Sequence, residues 1–379
     1  MRRVLFISPA ADLGGAERSL LDLVQCMDRE KIEPLVLLLE DGPLALEFNR
    51  LNIEAVRVPL PGVLSRSGDS GGLFQLLCIA PALILFILKL KRVVSGLKPD
   101  ILYANGIKAH LLGSFLKSRN QKLAWHVRDY LGKRGKSRGL IRKRAKKCDL
   151  AICNSRSVET DFQDICPGVS TTTVYNAVPV GDVPVQPPPR LTRVCLAGTY
   201  AVWKGHHLFL EAIARGQEEL RGRGLTFQVI GGAVYKTPGS QVDIREMQAF
   251  SAGHGIQDMV SFSGFEPDLE KLYANVDVLV NASTRPEPFG RTLIEAMARG
   301  KVVLGPAEGG PLEIIEDGVT GFHFKPRDPD ALAAAFMRAV DHPDIPGLVV
   351  AAQRVVRERF SHKTLRKRMS EVCVELTSK

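Results

Sequence analysis

Two carboxylates, Glu287 and Glu295, flank a Phe-Gly pair in the stretch EPFGRTLIEAMARG, residues 287–300. Gly290 precedes an expected helix from Arg291 to Arg299, and the first N–H groups of a helix lack partners within it and carry partial positive charge. Amides placed there bind anionic oxygens, while the two glutamates accept hydrogen bonds from hydroxyls. A ligand bearing both phosphates and hydroxyls satisfies the whole set, and a nucleotide sugar is such a ligand. Taken alone, such a pair is far more often a helix-start carboxylate and a surface glutamate. What raises it above that is its setting, after the strand-like VDVLVNAS and before KVVLGPAEGGPLEIIEDGVTGFHF.

Glycines fall at two further points where phosphates could be held. In LFISPAADLGGAERSLLDLV the strand ends near Ser8, Gly14 and Gly15 form the turn, and a helix begins near Ala16. In LAGTYAVWKGHHLFLEAI, Lys204 and Gly205 precede a helix after a strand ending at Gly198, and a lysine in that place can neutralise a diphosphate. Each turn is also an ordinary way to join strand to helix. Neither is a Walker loop, because GxxxxGK[ST] is absent, and a clean GxGxxG is absent too, which argues against a P-loop ATPase and a dinucleotide dehydrogenase. Seven cysteines, none in a CxxC, and eight histidines supply neither a disulfide framework nor zinc-ligand spacing. Free thiols fit a reducing cytoplasm. The apolar run after Arg2 and Arg3 is too short for a signal peptide, so the expected location is cytoplasmic.

The elements that must position these residues follow from periodicity. Short apolar runs alternate with longer helix-like segments, the pattern of parallel sheets covered by helices on both faces. Expected strands lie at 4–8, 34–39, 100–105, 123–127 and 150–154, and a second series at 193–198, 227–232, 260–264, 276–282 and 301–306. At 379 residues the chain is about twice the usual domain size, so two cores are expected. The domains are placed at 1–183 and 191–350, joined by a proline-rich linker at 184–190. The basic helical segment 351–379 has no strand after it and is expected to pack back on the first domain.

Charge is local. The net charge is +10, and the stretch 133–147, KRGKSRGLIRKRAKK, holds nine basic residues and no acidic one, which leaves +1 for the rest. No aromatic residue interleaves with them to stack bases, so nucleic acid is not the expected partner. Residues 73–90, LFQLLCIAPALILFILKL, have the length of a membrane span but contain Gln75, Pro81 and Lys89. They read either as a buried helix of the first domain or, with the basic run, as an apolar and cationic surface that lies on anionic lipid.

The run ANVDVLVNASTRPEPFGRTLIEAMARGKVVLGPAEGGPLEIIEDGVTGFHFKPRD resembles the C-terminal signature of the family-4 retaining glycosyltransferases of GT-B fold. The segments GGAERSL, KPDILYAN, AWHVRD, LAICNSRSV, TVYNAV, the Lys204-Gly205 turn and FSGFEPDLEKLYANVDVLV follow in that family's order, so the resemblance covers most of the chain. It implies an α/β fold of two Rossmann-like doubly wound parallel-sheet domains facing a cleft, the donor held by the second and the acceptor by the first. It further implies that Lys204 binds the donor diphosphate, Glu295 the ribose hydroxyls and Glu287 the hydroxyls of the transferred sugar. Phe289 and Gly290 would present backbone groups near that sugar, Gly14 and Gly15 would approach the diphosphate, and His126 would sit near the reacting sugar. A nucleotide-diphosphate sugar is the implied substrate, a glycan or glycolipid the implied acceptor, and no metal or other cofactor is implied.

Two positions depart from the family pattern. Thr199 stands where an arginine usually pairs with the lysine on the phosphates, so another cation such as Arg291 substitutes or activity is weak. Asn105 stands where histidines often follow the strand on the acceptor side. Two other readings remain, a non-catalytic GT-B scaffold, for which Thr199 is the hint, and a GT-B nucleotide-sugar epimerase or phosphorylase. Against the last, no pyridoxal lysine motif is present.

Overall fold

Val4, Leu5, Phe6 and Ile7 are wholly buried, as an apolar run must be when both faces of its strand are covered. The computed structural model describes residues 1–62, 73–132, 135–181, 186–232 and 239–378. This run forms β1, Arg2–Ser8, followed by β2 (Ile32–Leu38), β3 (Ala55–Arg57), β4 (Ile101–Asn105), β5 (Lys122–Val127), β6 (Leu150–Cys153) and β7 (Thr171–Thr173). They pair in the order β3-β2-β1-β4-β5-β6-β7, every pair parallel. Strand alternation divides β1 between two cores, with Val4 and Phe6 on one face and Leu5 and Ile7 on the other.

The second sheet holds β8 (Arg193–Ala197), β9 (Thr226–Ile230), β10 (Val260–Ser263), β11 (Val278–Val280), β12 (Val302–Pro306) and β13 (Phe322–Phe324). Their order is β10-β9-β8-β11-β12-β13, again parallel throughout. In both sheets the chain winds outward one way and then the other. The reversal lies between β1 and β4 in the first sheet and between β8 and β11 in the second. Loops at the carboxyl ends of those strand pairs diverge to opposite faces and leave the crevice in which open α/β sheets bind ligands.

The chain divides into one compact unit of residues 1–177 with 362–379 and another of 178–361. These boundaries differ from those expected at 184–190 and 351; residues 184 and 185 of the expected linker lie outside the described residues. The last part of the chain is two helices rather than one segment. Ile345–Arg359 stays with the second unit, where Leu348 and Val349 join the core of Phe209 and Phe336. His362–Ser378 belongs to the first unit, where Leu365, Met369 and Val372 pack with Phe6, Leu20 and Leu23. Each such side chain contributes about 1.5–3 kcal/mol on burial. Arg366 and Arg368 add hydrogen bonds to the Cys26 carbonyl at 2.9 Å and the Thr172 hydroxyl at 2.7 Å.

The long helix Leu73–Leu97 buries Phe86, Leu90 and Val94 along one stripe. Its outward face is also apolar, with Ile84 58%, Leu85 67% and Leu88 50% exposed. Exposed Lys89, Lys91 and Arg92 follow in the next turn. Side chains of residues 73–79 lie outside the described residues, as do residues 133 and 134 and the side chain of Lys136 in the basic run. Among the described residues no helix is long and apolar enough to cross a membrane.

Candidate functional site

In the second unit the carboxyl end of β8 runs through Thr199 to a short 3-10 turn, Val202–Lys204, and then into the helix His206–Arg215. Gly205 joins them at φ +77°, and a Cβ there would lie 1.8 Å from the Ala282 carbonyl oxygen. Only glycine lets this turn close onto the loop that follows β11. That loop returns the contact, since the Thr284 N–H donates to the Trp203 carbonyl at 2.9 Å. The two loops that flank the sheet reversal are therefore fixed to each other.

This closure brings Lys204 to Glu287. Lys204 Nζ donates to Glu287 Oε2 at 2.7 Å and Ser283 Oγ donates to the same oxygen at 2.9 Å. Burial pushes the Glu287 carboxyl up, but the Lys204 charge and hydrogen bonds from Lys204, Ser283 and Asn281 outweigh it and hold the group below its ordinary value. Glu287 is thus an anion at neutral pH, oriented by these donors. Its backbone is fixed as well, because the Gly310 N–H donates to the Glu287 carbonyl at 2.8 Å. A Cβ on Gly310 would lie 2.3 Å from Phe289, which is why EGGP carries glycine at that point.

Gly290, at φ +99°, then begins the helix Arg291–Ala298, with Phe289 buried behind it edge-on to Phe360 at 5.7 Å between ring centres. Glu295 lies on this helix and is 5% exposed. Arg291 Nε donates to Glu295 Oε1 at 2.7 Å, so the cation expected to replace the missing arginine is engaged by the glutamate one turn away. Thr199 holds the arginine position with its hydroxyl oxygen buried and no hydrogen-bond partner among the described residues. His206 does not supply the charge either. It is wholly buried edge-on to Tyr200, and burial pushes it down to about 4, so it is neutral. Lys204 is a cation that the structure sets at the start of the helix His206–Arg215. A different buried acid, Asp277, is structural: Arg193 and the Thr192 and Arg193 amides bind it at the amino ends of β8 and β11.

In the first unit, Gly14 and Gly15 open the helix Gly15–Gln25 after β1. The Glu17 carboxylate folds back over the turn, so that a Cβ on Gly14 would meet its Oε2 at 2.7 Å. Burial pushes Glu17 up, against the pull of Arg128. His126, near the end of β5, is 3% exposed. Its Nδ1 lies 2.6 Å from Tyr103 Oη and 3.2 Å from Arg128 Nη2. Arg128 also donates Nε to Asn105 Oδ1 and Nη1 to Asn176 Oδ1, each at 2.7 Å.

The structure thus brings together Lys204 with Glu287, Arg291 with Glu295, and His126 with Asn105. It adds partners that motif reading missed: Ser283, Asn281 and Gly310 around Glu287, and Tyr103, Arg128 and Asn176 around His126. Arg128 was within reach of the sequence, since it lies two residues beyond His126 in AWHVRD and an extended chain points such residues to one side. Among the described residues, no group of three or more His, Cys, Asp or Glu side chains is placed to hold a metal ion.

Two doubly wound parallel units, with a lysine and two glutamates at the carboxyl edge of the second, define the GT-B class of sugar-nucleotide folds. The first unit matches the family model described as Glycosyltransferase Family 4 over residues 13–181, and the second matches Glycosyl transferases group 1 over residues 186–351. The chain belongs to the group 1 glycosyltransferases. It is similar to the crystal structure of HepE from Anabaena in complex with UDP and glucose, with TM-score 0.80 and 25% identity over 99% of this chain and 100% of that one. It is 24% identical over 296 residues to LpsE of Rhizobium meliloti, a lipopolysaccharide core biosynthesis glycosyltransferase, over 74% of this chain and 75% of that protein. It is 33% identical over 178 residues to the sucrose synthase of Acidithiobacillus caldus, over 40% of this chain but 22% of that protein. Several of the curated relatives it matches are spanned over less than half their length.

Proposed function

We propose that this chain transfers a hexose from a nucleoside-diphosphate donor to a glycan or glycolipid acceptor with retention of anomeric configuration and without a metal. The observation that carries the reading is the Lys204–Glu287 pair at the carboxyl ends of β8 and β11. A donor diphosphate placed on the amides of His206–Arg215 meets Lys204, and the sugar beyond it meets an ionised Glu287. Leaving-group departure raises negative charge on the diphosphate, and a lysine with helix-start amides stabilises that charge without a metal. Glu287 then orients sugar hydroxyls rather than attacking carbon, and the acceptor hydroxyl enters on the face that the diphosphate leaves. The similarity to HepE, crystallised with UDP and glucose, supports a uridine donor.

A panel of nucleotide sugars, each incubated with the protein with and without EDTA, tests this. One donor should be cleaved at a rate that EDTA leaves unchanged. Binding of UDP with no cleavage of any donor would favour a scaffold, and a new nucleotide sugar without release of diphosphate would favour an epimerase.

The proposal extends to a peripheral position on the cytoplasmic face of a membrane, with a lipid-linked or membrane-adjacent acceptor. Exposed Ile84, Leu85 and Leu88, the adjacent Lys89, Lys91 and Arg92, and the cationic helix Arg138–Ala145 support it, as does the similarity to LpsE. Arg144 is partly committed, stacked 3.7 Å over Phe115 and bonded to Ser114, so the adjustable charges are Lys143, Lys146 and Lys147. Each basic residue near an anionic surface contributes about 1 kcal/mol. Neutralising these three should weaken sedimentation with phosphatidylserine vesicles roughly 100-fold. Equal recovery in the supernatant with and without vesicles would leave an enzyme with a soluble acceptor.

A further inference from the structure

His126 Nδ1 faces two groups of different capability. Arg128 is always protonated and can only donate, so the nitrogen 3.2 Å from its Nη2 must be an acceptor. The Tyr103 hydroxyl at 2.6 Å can donate to the same lone pair. Were Nδ1 protonated instead, two N–H donors, its own and that of Arg128 Nη2, would face each other across 3.2 Å. The ring proton therefore belongs on Nε2, a buried nitrogen with no hydrogen-bond partner among the described residues. A buried N–H without an acceptor is costly to keep, and an oxygen of a bound ligand is one group that can supply the acceptor.

We infer that Arg128 is a positioning residue that fixes His126 as the neutral, Nε2-protonated tautomer, so that His126 meets an oxygen of the bound substrate as a hydrogen-bond donor and takes no proton from it. Arg128 itself is aimed by neutral amides, Asn105 at the end of β4 and Asn176 after β7, which hold the guanidinium without cancelling its charge. The other titratable groups around the ring agree with a neutral imidazole. His110, on the helix Ile107–Leu116, lies 2.9 Å through Nε2 from the His126 carbonyl, which must accept, and its ring stacks on Trp125. Tyr103 is driven above its ordinary value by burial and stays a phenol; the Cys373 thiol near it is pushed up to about 12 and stays uncharged. Glu17, the nearby acid that acts on Arg128, is raised by burial. Burial first, then the Arg128 and His110 charges, hold His126 well below its ordinary value. A neutral imidazole used as a donor stabilises a developing negative oxygen without a proton changing place.

The substrate role rests on the glycosyltransferase reading, whereas the tautomer does not, and the test separates them. Protein labelled with 15N-histidine is followed by long-range 1H–15N correlation from pH 8 to pH 5, with His126→Asn identifying the signal. Nδ1 should appear as the unprotonated nitrogen and Nε2 as the protonated one, unchanged over that range. In Arg128→Met the signal should become a mixture of tautomers that titrates, and kcat/KM should fall about tenfold, with its acid limb moved to higher pH. Wild-type His126 protonated on Nδ1, or charged at pH 7, would overturn the inference even if the variant does not fold. So would an Arg128→Met protein that keeps the wild-type tautomer. An Nε2-protonated ring in a protein that cleaves no donor would overturn the function instead.

Discussion

Lys204→Ala is expected to lower kcat by about 100- to 1,000-fold, the range found when one preorganised donor is removed from a developing oxyanion. The ammonium is held 2.7 Å from Glu287, at the start of the helix His206–Arg215. Negative charge on the leaving diphosphate is larger in the transition state than in the bound donor, so turnover should fall by more than donor affinity. The loss should be severe here because Arg291 holds Glu295 and position 199 is a threonine. The substitution also has a signature in pH. Burial pushes Glu287 up and Lys204 is the main force that opposes it, so without the lysine the acid should protonate at higher pH. The ionised form, and the activity that needs it, would then be lost at a higher pH than in the wild type as the solution is acidified. Steady-state rates and UDP affinity, measured together across pH, check both parts. An unchanged kcat would remove Lys204 from the site.

Glu287→Gln is the second large effect, with an expected fall in kcat/KM of about 10- to 100-fold. The amide keeps the shape and can still accept from Ser283 and Lys204, but a hydrogen bond from a sugar hydroxyl to a charged acceptor stabilises by about 1.5–3 kcal/mol, more than one to a neutral amide. Because Lys204 and Glu287 touch, the double variant should lose less than the product of the single losses, with a coupling above about 0.5 kcal/mol. Near-wild-type turnover in Glu287→Gln would deny the glutamate its role on the sugar. Strictly additive losses would mean that the pair acts as two separate groups.

The sequence made parts of this arrangement legible for physical reasons. Buried parallel strands such as Val4–Ile7 and Val302–Leu304 are unbroken apolar runs, and their positions follow directly from that pattern. The edge strands β3, β7 and β13 escaped, because they are three residues each; β7 is Thr-Thr-Thr and half-exposed, which no apolar pattern marks. The places of Lys204 and Glu287 beside glycine turns, and of Glu295 one turn into the helix that Gly290 opens, are local features that the sequence shows. Their partners are not. Tyr103 and Asn176 reach His126 and Arg128 only after sheet order sets β4 beside β5 and brings the end of β7 near, and no local spacing encodes that order. The Arg291–Glu295 pair was readable as an i, i+4 contact on a helix, yet the same arginine looked available for phosphate until its bond to Glu295 was seen. The division of the C-terminal segment was likewise a tertiary fact, since both its helices are basic and amphipathic and only packing separates Ile345–Arg359 from His362–Ser378.

In the proposed front-face transfer, Glu287 orients the sugar and Lys204 draws off the diphosphate. Hydrolysis of UDP-glucose, or of whichever α-configured donor is cleaved, followed by 1H NMR from the first minutes, tests it without knowledge of the acceptor. With front-face transfer the α anomer of the free sugar should appear first and relax to the equilibrium mixture only afterwards, whereas first release of the β anomer would rule such transfer out.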